Sequence, residues 1–175
     1  EQRIGETMSG IISTIGSRTG VVGSDGHVIQ VKWVQKTSGA SNATSSQTYT
    51  DHINLVLAIT PTSSSNKILI LANPNLYIEN HSTDEWSTSK CAIERTIESS
   101  VSVVFNTGDN LYSLGRHTTS DTDRMVARQP ISYLDSPNTT LSTSYQIQFN
   151  SMFGNPVKGD QAFGFSDMIL MEIEA

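Results

Sequence analysis

The chain has 175 residues and a mass of 19.0 kDa, the size of one domain able to hold its own core. Its net charge of −6 and pI near 5.1 exclude a basic surface that tracks phosphates, and only 16% of residues are charged against roughly 25% in an average globular chain. Ser (25) and Thr (19) make up a quarter of the sequence, the longest apolar runs (Leu55 to Ile59, Ile68 to Ala72) are too short for a membrane-spanning helix, and Cys91 has no second cysteine to bridge to.

In chain order, the first element is the one helical pattern. Ile4, Met8, Ile11, Ile12 and Ile15 fall at i, i+4, i+7, i+8 and i+11. Gly5, Gly10, Ser13, Thr14 and Gly16 are poor helix formers, so an extended arm is an equal reading. Gly16, Gly20, Gly23 and Gly26 then form a hinge. A segment this apolar cannot bury itself, so residues 1–26 are expected to be an arm that docks on a partner in a larger assembly. The opening Glu1-Gln2-Arg3-Ile4-Gly5 lacks the apolar core of a signal peptide, and none is expected.

From residue 27 onward the period is 2. Ile29, Val31 and Trp33 share one face of Val28 to Lys36, with Gln30 and Lys32 on the other. In Tyr49 to Ile59 the odd positions Ile53, Leu55, Leu57 and Ile59 alternate with residues that turn from polar to apolar at Val56 and Ala58. That pattern predicts a strand running from a one-sided edge into a region covered on both faces. Thr60 to Lys67 is a turn by composition. Ile68 to Ile78 resumes as strand, with Pro74 marking a bulge or an edge position. Further alternation places Cys91, Ile93, Arg95 and Ile97 on one face, and Val101, Val103 and Phe105 on another. Ile131 and Tyr133, then Tyr145, Ile147 and Phe149, and finally Phe163 to Ile173 continue it. About eight strands separated by Asn, Ser, Gly, Pro and Thr predict an all-β, antiparallel, jelly-roll-like sandwich over residues 27–175.

Chemistry is sparse. His27, His52, His81 and His117 stand alone in sequence, outside any zinc-ligand spacing, and a solvated position is the expectation for each. Asp109-Asn110 and Asp121-Thr122-Asp123 lack calcium-loop spacing. Ser87-Thr88-Ser89-Lys90 fits SxxK, a string that a chain so rich in hydroxyls produces by chance. The reading is therefore non-enzymatic, with no cofactor and no metal. The long polar loops are more informative. Glu79 to Lys90 carries His81, Asp84 and Trp86, and Asn106 to Arg128 carries Tyr112, Arg116 and His117. Aromatic rings among Ser, Asn, Asp and Arg suit recognition of a sugar or a protein patch, and these six residues are the candidate receptor-binding set. Trp86 reads equally well as a cap over the rim of the core.

Several segments resemble a known family. Ile59-Thr60-Pro61-Thr62-Ser63-Ser64-Ser65-Asn66-Lys67-Ile68-Leu69-Ile70 is similar to the "ITPSSSSNKILV" signature of short tail-fibre-like proteins of marine and cyanobacterial tailed phages. Tyr133-Leu134-Asp135-Ser136-Pro137, followed by Ser144-Tyr145-Gln146-Ile147, resembles a "YLDSP-TTS..YKV" segment of the same proteins. The ending Met168 to Ile173 resembles their "ITLMEI" terminus, and Arg3-Ile4-Gly5-Glu6-Thr7-Met8 a recurring segment ahead of such domains. Residues 80 to 128 match no part of that pattern and are where variable recognition loops are expected. The resemblance implies a homotrimeric β-sandwich in a virion, at a fibre or knob, with other tail or capsid proteins and a host surface glycan or protein as partners. Nucleic acid and membrane insertion are not expected. A head-decorating fibre, another minor virion protein and a polysaccharide-degrading tailspike enzyme are the alternatives, in that order.

Overall fold

A computed structural model describes residues 26–36, 42–79, 85–108, 114–118, 124–159 and 165–175. The arm residues Ile4, Met8, Ile11, Ile12 and Ile15 lie outside them. The strands of the described residues are β1 (Val28–Lys36), β2 (Ala43–Thr44), β3 (Thr50–Ile59), β4 (Lys67–Asn73), β5 (Asn75–Glu79), β6 (Glu85–Ile97), β7 (Ser100–Asn106), β8 (Leu114–Thr118), β9 (Arg124–Arg128), β10 (Ile131–Asp135), β11 (Thr143–Ser151), β12 (Val157–Gly159) and β13 (Ser166–Ile173). The thirteen exceed the expected eight or so because Ile68 to Ile78 divides into β4 and β5, and because the segments expected as loops hold strand: the start of β6 lies in Glu79 to Lys90, and β8 and β9 lie in Asn106 to Arg128.

Two antiparallel sheets form a sandwich. One has the order β1-β13-β4-β10; the other has the order β3-β11-β6-β7, with β8 beside the first part of β6. They lie with like edges together: β3 packs on β1 and β13, while Phe105 of β7 meets Tyr133 of β10 at a ring separation of 5.3 Å. Ile68, Ile70, Met168 and Leu170 point inward from the first sheet onto Leu55, Ile93, Tyr145, Ile147 and Phe149 of the second, all fully buried. Burying each such side chain contributes about 2 kcal/mol, which offsets the entropy of ordering the strands.

The third sheet, β2-β12-β5-β9, grows out of the first. Strand β4 becomes β5 across Pro74, and its neighbour β9 becomes β10 across Gln129-Pro130, so one antiparallel pair changes sheets at facing prolines. Proline has no N–H to give a ladder; here the Pro74 carbonyl accepts from Gln129 N at 3.1 Å and Asn75 N donates to Ser166 Oγ at 2.7 Å. Pro74 thus marks an internal corner rather than the expected edge or bulge.

Two further expectations change. Val56 and Ala58 are exposed, so β3 is covered on one face throughout its length. Val101 and Val103 face solvent while Phe105 packs against the core, because a register shift between Ile93 and Glu94 reverses the parity of β7. The face of β1 that carries Val31 and Trp33 also turns outward, and Val34 from the opposite face reaches the core instead.

Buried carboxylates clasp the two edges of the sandwich. At the β10 edge, Asp135 accepts from Arg95 Nη1 at 2.9 and 3.0 Å and from Tyr145 OH at 2.7 Å, tying the first sheet to the second. Burial and that bond to Asp135 push the Tyr145 phenol well above its ordinary range. At the β1 edge, Glu172 is fully buried. Its Oε1 accepts from Thr62 N (2.6 Å), Thr62 Oγ1 (2.8 Å) and Asn66 Nδ2 (2.7 Å), and its Oε2 from Gln30 Nε2 (2.6 Å). Burial alone would raise its pKa, but the bonds from Asn66, Gln30 and Thr62 outweigh it and bring the group to about 2.

A pKa lowered from 4.5 to about 2 stabilises the fold by about 3 kcal/mol above pH 4.5, and that stability is lost as pH falls through 2. Glu172→Gln should therefore flatten the acid limb of a stability-versus-pH curve measured by urea unfolding. Glu172→Ala, which strands Asn66 as a buried donor and removes the bonds to Thr62 and Gln30, should cost about 3 kcal/mol at pH 7. Cys91 is buried, its thiol pushed up by burial and donating to Gln129 Oε1 at 3.3 Å. It should resist a thiol reagent in the native protein and react in step with global unfolding.

Candidate functional site

Three of the six candidate recognition residues, Trp86, Arg116 and His117, lie at one end of β6. This strand is long enough to serve two neighbours in turn along one margin: Glu85 to Ser89 pair with β8, and Ala92 to Ile97 pair with β7. On its other margin β11 begins only at Ser89, paired with Ser151. Glu85 to Thr88 therefore run past β11 as a two-stranded ribbon with β8. In that ribbon Trp86 is the register partner of His117, and Ser87 of Arg116. Residues thirty positions apart in the chain are thereby brought side by side. The description of Trp86, Arg116 and His117 is confined to the backbone, and His81, Asp84 and Tyr112 lie outside the described residues.

The ends of two connections coincide at the same place. The one that carries His81 and Asp84 leaves Glu79 of β5 and enters Glu85 of β6. The one after β8 leaves Thr118 and enters Arg124 of β9. Glu79 is the partner of Arg124, and Glu85 the partner of Thr118, so both connections cross from the third sheet to the second between the same two register pairs. The base of this end is fastened by charge. Lys158 Nζ of β12 meets Glu79 Oε2 at 2.9 Å, and Tyr77 OH donates to Glu79 Oε1 at 3.0 Å. At the opposite end of the β5–β9 ladder, near the Pro74 corner, Arg128 lies over the Phe165 ring at 3.7 Å. Sequence reading missed this base, because β5, β9 and β12 are short and their pairing is long-range.

Other groups with chemical potential are structural. His52, expected in solvent, is buried; its ring meets Phe149 edge-on at 5.8 Å and its Nε2 lies 3.4 Å from Ser166 Oγ. An added Cβ at Gly159 would sit 3.0 Å from that ring, so β12 comes close enough that a side chain there would press on the His52 ring. His27 is paired with Glu174 at 2.9 Å, next to the backbone bonds that hold Gly26 and His27 against Glu174. On the outward face of the second sheet one amide nitrogen, Gln148 Nε2, donates to both Asp51 Oδ1 (2.8 Å) and Glu94 Oε2 (2.9 Å). That bond bridges the two acids instead of leaving a gap for substrate between them. Among the described residues no three His, Cys, Asp or Glu side chains form a metal-binding group, and no helix is long and apolar enough to cross a membrane.

No protein-family model and no curated protein matches the chain. Among solved structures it is similar to one of infectious bursal disease virus, Gt strain, at 10% identity and a TM-score of 0.37, covering 94% of this chain and 43% of that one. A structure of the Gx strain of the same virus gives 11% identity and a TM-score of 0.35, with 93% and 45% covered. The chain spans less than half the length of either. Scores of this size carry no role from that virus to this chain.

Proposed function

We propose that the chain is a non-enzymatic structural component of a phage virion, a homotrimeric tail-fibre or knob protein that contributes to host attachment. One observation carries the reading. A sandwich brings Trp86 and Ser87 of β6 beside His117 and Arg116 of β8 at one end, where two connections that carry His81, Asp84, Asp121 and Asp123 start and finish on shared register pairs. Variable recognition groups on a stiff scaffold are what an attachment module needs. The segments that resemble phage fibre proteins support it from the other side. The Thr60 to Lys67 turn, the strand ending at Asp135, Tyr145 and the final strand supply both carboxylates of the two clasps and the donors Thr62, Asn66 and Tyr145, so the resemblance falls on the scaffold. Residues 1–26 would then be the arm that docks onto the rest of the particle. Three copies would let individually weak contacts act together.

Purified protein added in excess should block adsorption of the parent phage to its host. Trp86→Ala should weaken that block about tenfold while thermal unfolding shifts by less than about 2 °C, because Trp86 lies on the part of β6 that runs past β11, away from the main sheet pairing. A collapse of the melting temperature would assign Trp86 to the core instead. Failure of the wild-type protein to compete would leave a virion component without an attachment role.

A further inference from the structure

The first sheet is apolar on both faces. Register places Val31 and Trp33 of β1, Ile169 and Met171 of β13, Leu69 and Leu71 of β4, and Leu134 of β10 in one outward block. Trp33 is 69% exposed, Val31 51% and Leu134 48%, although every one of these strands also sends side chains into the core. The block is four strands wide and two alternate residues deep, roughly 19 by 14 Å or roughly 300 Å² in projection. Contiguous apolar surface of that order is the size of the largest patch on a typical soluble monomer, and such a patch is often functional.

We propose that this face is a docking surface for a second copy of the chain, laid across it in the reversed strand direction. Charge argues for that occupant. Among the paired residues of this face the block is flanked by one cation at one end, Lys67 beside Ile173, and one anion at the other, Asp167 beside Asn73, with Arg128 over Phe165 farther out. A reversed copy brings each Lys67 end over an Asp167 end, whereas a copy in the same direction sets like charges together. The chain as a whole carries −6, a net repulsion between copies, and a block with no charge of its own is where they can approach. The contact is isologous, joins copies in pairs, and is separate from the threefold contact of the proposed fibre.

Sedimentation of the full chain tests it. Trp33→Glu and Leu134→Lys should each halve the mass of the assembled protein without changing its circular dichroism, and Val103→Glu, on the outward face of the other sheet, should leave the mass unchanged. Lys67→Glu should weaken the pairing at least tenfold, and adding Asp167→Lys should restore it. A wild-type mass of three chains that Trp33→Glu leaves intact overturns this contact and keeps the threefold reading. A wild-type monomer overturns both. Pairing that survives Lys67→Glu at full strength overturns the reversed arrangement.

Discussion

The sandwich depends on where two acids are buried. In most half-covered sheets the alternation of apolar and polar residues decides which face turns inward, and a one-residue slip would expose the whole core. That rule loses force here. Strand β4 offers Ile68, Ile70 and Ala72 to the core and Leu69 and Leu71 to the outside, and β13 offers Met168 and Leu170 against Ile169 and Met171. A slip would exchange one apolar set for another at small cost in buried area. It would also carry Glu172 out of reach of Thr62, Asn66 and Gln30, and Asp135 away from Arg95 and Tyr145. Each stranded donor costs about 1–3 kcal/mol. The carboxylates therefore fix the register and facing that apolar burial leaves nearly degenerate.

This division of labour explains what could be read from the chain. Period 2 locates the strands and the fold class, because backbone geometry imposes it wherever a sheet has two faces. It does not say which face is inside. Ile29, Val31 and Trp33 are the apolar face of β1, yet Trp33 looks outward and Val34 fills the core. Val101 and Val103 share a parity with Phe105 in sequence and part company at a register shift that only the pairing with β6 creates. The turn between β6 and β7 holds Glu98 at φ 53° without a glycine or asparagine to announce it. Pro74 was legible as an interruption, but its meaning as a corner lay in Gln129, between two strands more than fifty residues away.

The candidate site was legible in kind and illegible in arrangement. Composition picks out Trp86, Arg116 and His117 as unusual among Ser and Thr, and that depends on residue type alone. Their adjacency comes from the β6–β8 ladder, and the shared footing of the two loops from β5–β9 as well. Those pairings close across long stretches of chain, and no local signal encodes them. The histidine that sequence treated as solvated, His52, is buried where Gly159 of β12 comes close to it, another pairing of distant segments.

The same economy bears on the outward apolar block. A chain with 16% charged residues and a quarter Ser and Thr has few charges with which to guard a sheet. Edges and faces are ordinarily protected by lysines and acids placed on them. Here Lys67 and Asp167 stand at opposite ends of the first sheet's outward face, and seven apolar side chains lie between. Were solubility of the single chain the governing demand, polar residues at Leu69, Leu71, Ile169 and Met171 would have met it without disturbing the core, since all four point away from it. Their apolar character has no use inside the sandwich, so its function must be sought on the other side, in what the face covers and is covered by.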